Sequence, residues 1–121
     1  MAAAQHQIKT QEDVFACLEA VIRERKRQPS SDSYVSSLFA RGLDRILAKV
    51  GEEATETAIA GKGGKREEIV HEAADLLFHL LVLLGYYDIP WEAVCGELRR
   101  RFGTSGLEEK NSRDPSAKEP S

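Results

Sequence analysis

Leu43-Asp-Arg-Ile-Leu-Ala-Lys-Val-Gly-Glu-Glu-Ala-Thr-Glu-Thr-Ala-Ile-Ala60 decides how this chain folds. Leu43, Ile46, Leu47, Val50, Ala54, Thr57 and Ala58 recur at i, i+3, i+4 and i+7, the spacing of one helical stripe. Lys49, Glu52, Glu53 and Glu56 lie off that stripe, with Glu53 nearest its edge. After a Gly-rich turn over Gly61–Lys65, a second helix is predicted from Arg66 to Leu84. Ile69, Val70, Ala73, Ala74, Leu77, Leu80, Leu81 and Leu84 form its main core face. Glu68, Glu72, Asp75 and His79 line another, flanked by Leu76, Phe78, Val82 and Leu83. A helix apolar nearly all round must be covered on both sides, and in a chain of 121 residues the expected second cover is another subunit.

Outward from this pair the chain also reads as helical. Thr10, followed by Gln11-Glu12-Asp13, marks a helix start, and Val14, Phe15, Leu18, Val21 and Ile22 fall on one face. Arg23-Glu24-Arg25-Lys26-Arg27 closes that helix with cations that suit its C-terminal dipole, although phosphate contact is a second use for them. Gln28–Asp32 is a loop. Ser33 caps a short helix holding Tyr34, Leu38 and Phe39, which Gly42 breaks or bends. Gly85–Ile89 is a turn, and Pro90 suits the first position of a last helix. That helix is expected to bury Trp91, Val94, Cys95, Leu98 and Phe102 and to end at Gly103. No strand-like alternation of useful length is present. The fold class is therefore all-α, a bundle of four to five helices. Residues 10–103 form one domain between a flexible N-terminus (1–9) and a disordered polar tail (104–121).

Composition narrows the function. With 17 basic and 20 acidic residues the net charge is −3, which makes no electrostatic case for nucleic acid. Cys17 and Cys95 form no CxxC pattern and read as free thiols. The start lacks the apolar region of a signal peptide. Leu76–Leu84 is far shorter than the roughly 20 residues of a membrane span. The expected location is the cytoplasm.

Residues three or four apart on a helix share a face. Glu53 with Glu56, and Glu72 with Asp75, can each aim two carboxylates at one spot, and antiparallel packing of their helices would join the pairs. Four half-buried carboxylates repel and resist desolvation. A hard divalent cation with oxygen ligands, magnesium by preference, resolves both problems and leaves room for phosphates. A solvated face with helix salt bridges is the competing reading, which the like-charge pair Glu52/Glu56 disfavours. Glu68-Ile69-Val70-His71 matches a di-iron element, but it occurs once and lacks a partner copy. His71 reads as an exposed helix residue. His79 suits substrate contact and satisfied burial equally.

Glu24-Arg25-Lys26, Ser33-Tyr34, Lys49-Val50-Gly51-Glu52-Glu53-Ala54-Thr55-Glu56 and Glu72-Ala73-Ala74-Asp75-Leu76-Leu77-Phe78-His79 together resemble the phosphoribosyl-ATP pyrophosphohydrolases of histidine biosynthesis. That family belongs to the all-α, MazG-like nucleotide pyrophosphohydrolases. The resemblance spans Thr10 to Phe102. It implies hydrolysis of phosphoribosyl-ATP to phosphoribosyl-AMP and pyrophosphate, by a homodimer whose two chains build each four-helix active-site bundle. It implies magnesium held by Glu53, Glu56, Glu72 and Asp75, with Glu52 completing the metal site or orienting the attacking water. Lys49 is placed to reach a phosphate. Arg25, Ser33 and Tyr34 match family positions for substrate contact, to which Lys62, Lys65 and His79 are added. Phe78 stands where the family favours Tyr, Phe102 where His is frequent, and the Gly61–Lys65 turn is Gly-rich rather than acidic. A house-cleaning pyrophosphohydrolase of nucleoside triphosphates and a non-catalytic helical dimerisation module are the alternatives.

Overall fold

The computed structural model describes residues 11–103. The expected flexible ends, 1–9 and 104–121, and the proposed cap Thr10 lie outside them. The described residues form five α-helices: α1 (Gln11–Arg27), α2 (Tyr34–Arg41), α3 (Leu43–Gly63), α4 (Arg66–Tyr86) and α5 (Trp91–Phe102). The chain divides into two compact units between Ile89 and Pro90.

In the first unit, α3 and α4 make the most extensive helix pair, with α1 packed on α4 and α2 on α1 and α3. Ser33 caps α2 as expected: its hydroxyl accepts from the Ser36 amide at 3.1 Å. Gly42, at φ 97°, separates α2 from α3, a backbone conformation that favours glycine. Ile22, Leu38, Ile46 and Val82 are fully buried, each side chain contributing about 1.5–3 kcal/mol.

Both turns around α4 are shorter than the sequence suggests. Gly61–Lys65 is not a turn throughout, because Gly61, Lys62 and Gly63 continue α3. The helix ends at Gly64, at φ 81°, whose amide closes the last turn on the Ala60 carbonyl at 3.0 Å. Glycine lowers helix propensity without forbidding the helix. Likewise Gly85 and Tyr86 extend α4, and the reversal falls on Asp88 at φ 56°.

The core faces differ as well. Within one chain, the buried positions on α3 are Ile46, Glu53 and Ala60, and those on α4 are His79, Leu81 and Val82. Leu47, Ala54 and Ala58 of the apolar stripe, and Val70, Ala74 and Leu77 of the expected main face, are exposed. Ile46 and Leu81 are buried as the apolar faces predict, and Glu53 and His79 are buried beside them among the acids. Where α4 is apolar all round, periodicity alone does not say which side is covered by its own chain. α4 is long and apolar enough to span a membrane by length and composition only, a test that core helices of globular proteins pass too.

In the second unit, no residue of α5 is buried, contrary to expectation, and Leu98 and Phe102 are exposed. Pro90 stands at the cap of the helix and not at its first turn. Arg100 and Arg101 pair with Glu97 and hold its carboxyl down to about 2.

The basic run of α1 has a specific use. Lys26 Nζ donates to the carbonyls of Gly85 at 2.9 Å and Tyr86 at 3.0 Å, and to Asp88 Oδ1 at 3.0 Å. It also lies 6.0 Å from the Phe39 ring centre and 5.9 Å from that of Tyr86. One ammonium thus satisfies carbonyls at the end of α4 that the helix cannot pair itself. Gly85 lets α1 approach: a Cβ there would meet Ile22 Cγ2 at 2.9 Å.

Lys26→Met is expected to lower the free energy of unfolding by about 1–3 kcal/mol, since charged hydrogen bonds are lost and carbonyls left unpaired. Urea unfolding of the variant beside wild type checks this value.

Candidate active site

Glu53 and Glu56 on α3 and Glu72 on α4 each bring a carboxylate oxygen within 4.8 Å of the others. Glu53 is 6% exposed. Thr57, one turn beyond it, reaches across the seam: its hydroxyl lies 2.7 Å from the Glu53 carbonyl and 3.1 Å from that of Glu72. That one proton, shared between the two carbonyls, ties the helices at the height of the carboxylates.

The corner is electrostatically unfinished. Glu53 Oε1 and Glu72 Oε1 are buried without a hydrogen-bond partner, an arrangement that is costly when left uncompensated. Burial first, and then the charge of Glu56, push the Glu72 carboxyl above its ordinary value. Lys49 answers part of the charge, with Nζ 3.3 Å from Glu53 Oε2 and 3.4 Å from Glu52 Oε1. Burial alone would lower the Lys49 ammonium, but its bond to Glu53, with Tyr34 and Glu52 nearby, raises it above the usual value. A divalent cation with oxygen ligands fits this donor set: the two orphaned oxygens would gain a ligand bond, and the repulsion would be screened.

Asp75 is not one of the three convergent residues; its Oδ2 lies 3.5 Å from His71 Nε2, on the exposed side. Glu52 is half-exposed beside Lys49 and Arg45. Tyr34 and His79 meet at 2.8 Å, and His79 Nδ1 is 2.8 Å from the Asp75 carbonyl. Ser33 is occupied as the cap of α2. Arg25 belongs to the adjoining loop: its carbonyl accepts from Ser36 at 3.4 Å, and its charge adds to the stronger effect of Ser30 in lowering Asp32. Lys62 is exposed in the last turn of α3. It stands well beyond Glu53, about 13 Å along the axis. Lys65 sits at the exposed start of α4.

Sequence reasoning misses two residues. Arg45 approaches Glu52 at 3.9 Å, and its Nε is buried without a partner. Its position one turn before Lys49 is the available signal. Thr57 reads from sequence only as a member of the apolar stripe.

The sequence profile of the family described as "Phosphoribosyl-ATP pyrophosphohydrolase" matches residues 15–102. A protein of Geobacter metallireducens named "Phosphoribosyl-ATP pyrophosphatase" is 62% identical over 102 residues, covering 84% of this chain and 94% of its own length. Proteins of the same name from Geotalea daltonii and Novosphingobium aromaticivorans are 60% and 55% identical, covering 85% and 84% of this chain and 97% and 94% of their own lengths.

The raised Glu72 carboxyl sets a pH dependence for the metal-free protein. A group that binds its proton more tightly when folded adds stability below its unfolded value, and that stability is lost as the pH rises through the folded value. Glu72→Gln stays neutral, so it is expected to unfold at higher urea than wild type near neutral pH and to converge with it near about pH 4. Urea titrations in chelator across that range test this.

Proposed function

The chain belongs to the phosphoribosyl-ATP pyrophosphohydrolase family, and on that premise we propose that the carboxylate corner of α3 and α4 is its active site, with magnesium as the cofactor. The enzyme hydrolyses phosphoribosyl-ATP to phosphoribosyl-AMP and pyrophosphate, the second step of histidine biosynthesis. The observation that carries the site assignment is the pair of buried, unpartnered oxygens on Glu53 and Glu72 beside Glu56.

Glu53, Glu56 and Glu72 would hold the ion, and Asp75, one turn beyond Glu72 on α4, would complete the set. Magnesium bound there would supply charge neutralisation for the anhydride phosphates and Lewis acidity for hydrolysis. The carboxylate of Glu52 lies outside the convergent group and is half-exposed. It serves as the base: as the water oxygen bonds to one phosphorus of the α,β anhydride, Glu52 takes the water's proton and the bond to the bridging oxygen breaks. Lys49 meets the phosphates as charge develops on them. Tyr34 contacts the substrate beside it, and Arg25, Ser33 and Lys62 are left with peripheral contacts.

A homodimer completes the site in this reading. Leu47 and Ile59 of α3 and Val70 and Leu77 of α4 are apolar side chains left exposed in the single chain. Residues 10–103 form the catalytic unit, and Cys17 and Cys95, neither of them in a disulfide, suit the reducing cytoplasm.

Glu72→Gln is expected to lose at least about 100-fold in kcat/KM and to abolish the rise in melting temperature that millimolar magnesium gives the wild type. No magnesium-linked stabilisation, with unchanged turnover in the variant, would sink the metal site. Pyrophosphate release from phosphoribosyl-ATP should exceed release from ATP and dATP; equal turnover would favour a house-cleaning enzyme. Leu77→Glu is expected to yield an inactive monomer by sedimentation, and an active monomer would overturn the dimer.

A further inference from the structure

We propose that Tyr34 reads a hydroxyl of the substrate and not a phosphate, and that buried His79 sets this preference by taking the tyrosine's proton. The inference rests on the active-site reading above and adds to it the chemistry of one contact.

The Asp75 carbonyl can only accept, so the 2.8 Å contact to His79 Nδ1 puts a proton on that nitrogen. An imidazole whose proton sits on Nδ1 presents a lone pair at Nε2. The Tyr34 hydroxyl, 2.8 Å away, donates to it. A hydroxyl has one proton and two acceptor sites. With the proton committed inward, the Tyr34 oxygen faces the site as an acceptor alone.

The commitment is held in place on several sides. His79 is 4% exposed, whereas Tyr34 is 48% exposed. The Phe78 ring stacks on Tyr34 with centres 6.0 Å apart, and His79 meets Tyr34 edge-on at 5.7 Å. The phenol is thus accessible but oriented. An ionised phosphate oxygen placed against it would set lone pair against lone pair. A ribose hydroxyl would donate. Lys49, the neighbouring cation on α3, takes the phosphate side, so the two residues divide the nucleotide between them. His79 is accordingly a positioning residue, tied at its other nitrogen to the backbone of Asp75. This places it behind Tyr34, not against the substrate.

The test is pyrophosphate release by wild type, Tyr34→Phe, His79→Phe, His79→Gln and the two double variants, on phosphoribosyl-ATP and on analogues each lacking one ribose hydroxyl. Tyr34→Phe is expected to raise KM about tenfold with kcat little changed, and to lose that penalty on one of the analogues. His79→Phe is expected to cost about the same and nothing further in the Tyr34→Phe background. His79→Gln, whose side-chain carbonyl can still accept the tyrosine's proton, should recover most of the loss. A Tyr34→Phe penalty that persists on every analogue overturns the hydroxyl contact. A His79 penalty undiminished in the Tyr34→Phe background overturns the positioning role. If His79→Phe does not fold, the cycle is closed with His79→Leu, which likewise cannot accept the tyrosine's proton. Wild type inert on phosphoribosyl-ATP would be a different failure, that of the reaction itself.

Discussion

Repulsion among Glu53, Glu56 and Glu72 is the constraint around which this molecule is arranged. Their oxygens crowd within 4.8 Å in a seam where Glu53 is as buried as the aliphatic core. The seam must supply the opposing stability itself. Ile46 and Val82 are buried on one side of the acids along the helices, and Ala60 on the other. Lys49 compensates one carboxylate, and Thr57 ties the two helices at the height of the acids. Functional sites commonly concentrate such local cost, with rigid surroundings to bear it. Here the surroundings are two long helices joined by Gly64 and Lys65.

Much of this is legible in the chain. The i, i+3, i+4 pattern locates α3, α4 and the acids they share; Ser33 and Gly42 punctuate α2 at the right places. Elsewhere the local pattern misleads for definable reasons. Gly61 and Gly63 look like a turn, yet a helix tolerates them when only its terminal residue needs positive φ. The run Arg23–Arg27 looks like a dipole cap for its own helix, while Lys26 serves the end of another, 59 residues away in sequence. Local patterns carry no such long-range information. In α4, apolar residues surround the helix. Periodicity does not settle the intrachain core: Leu81 of the expected face is buried, but so are His79 on the acidic face and Val82 beside it, while Val70, Ala74 and Leu77 stay exposed.

The site is legible in a graded way. Glu53, Glu56 and Glu72 converge as their spacing requires. Asp75 has the right spacing from Glu72, but its carboxylate turns toward His71, and a side-chain rotation is not written in sequence spacing. His79 reads equally as a substrate contact or a buried residue; in the fold both ring nitrogens are occupied inside the protein. Arg45 and Thr57 escape notice in sequence because their importance depends on the neighbours that folding brings to them.

The two-residue link at Gly64–Lys65 has a kinetic consequence. All three convergent carboxylates sit on one helical hairpin, between residues 53 and 72, so the site's central contacts have low contact order. Closing a short loop costs little entropy, and helical hairpins assemble early. The acidic corner can therefore form before α1 and α2 arrive, and the repulsion must be withstood by a partly folded chain. Divalent cation present during refolding would relieve that repulsion at the nucleation step.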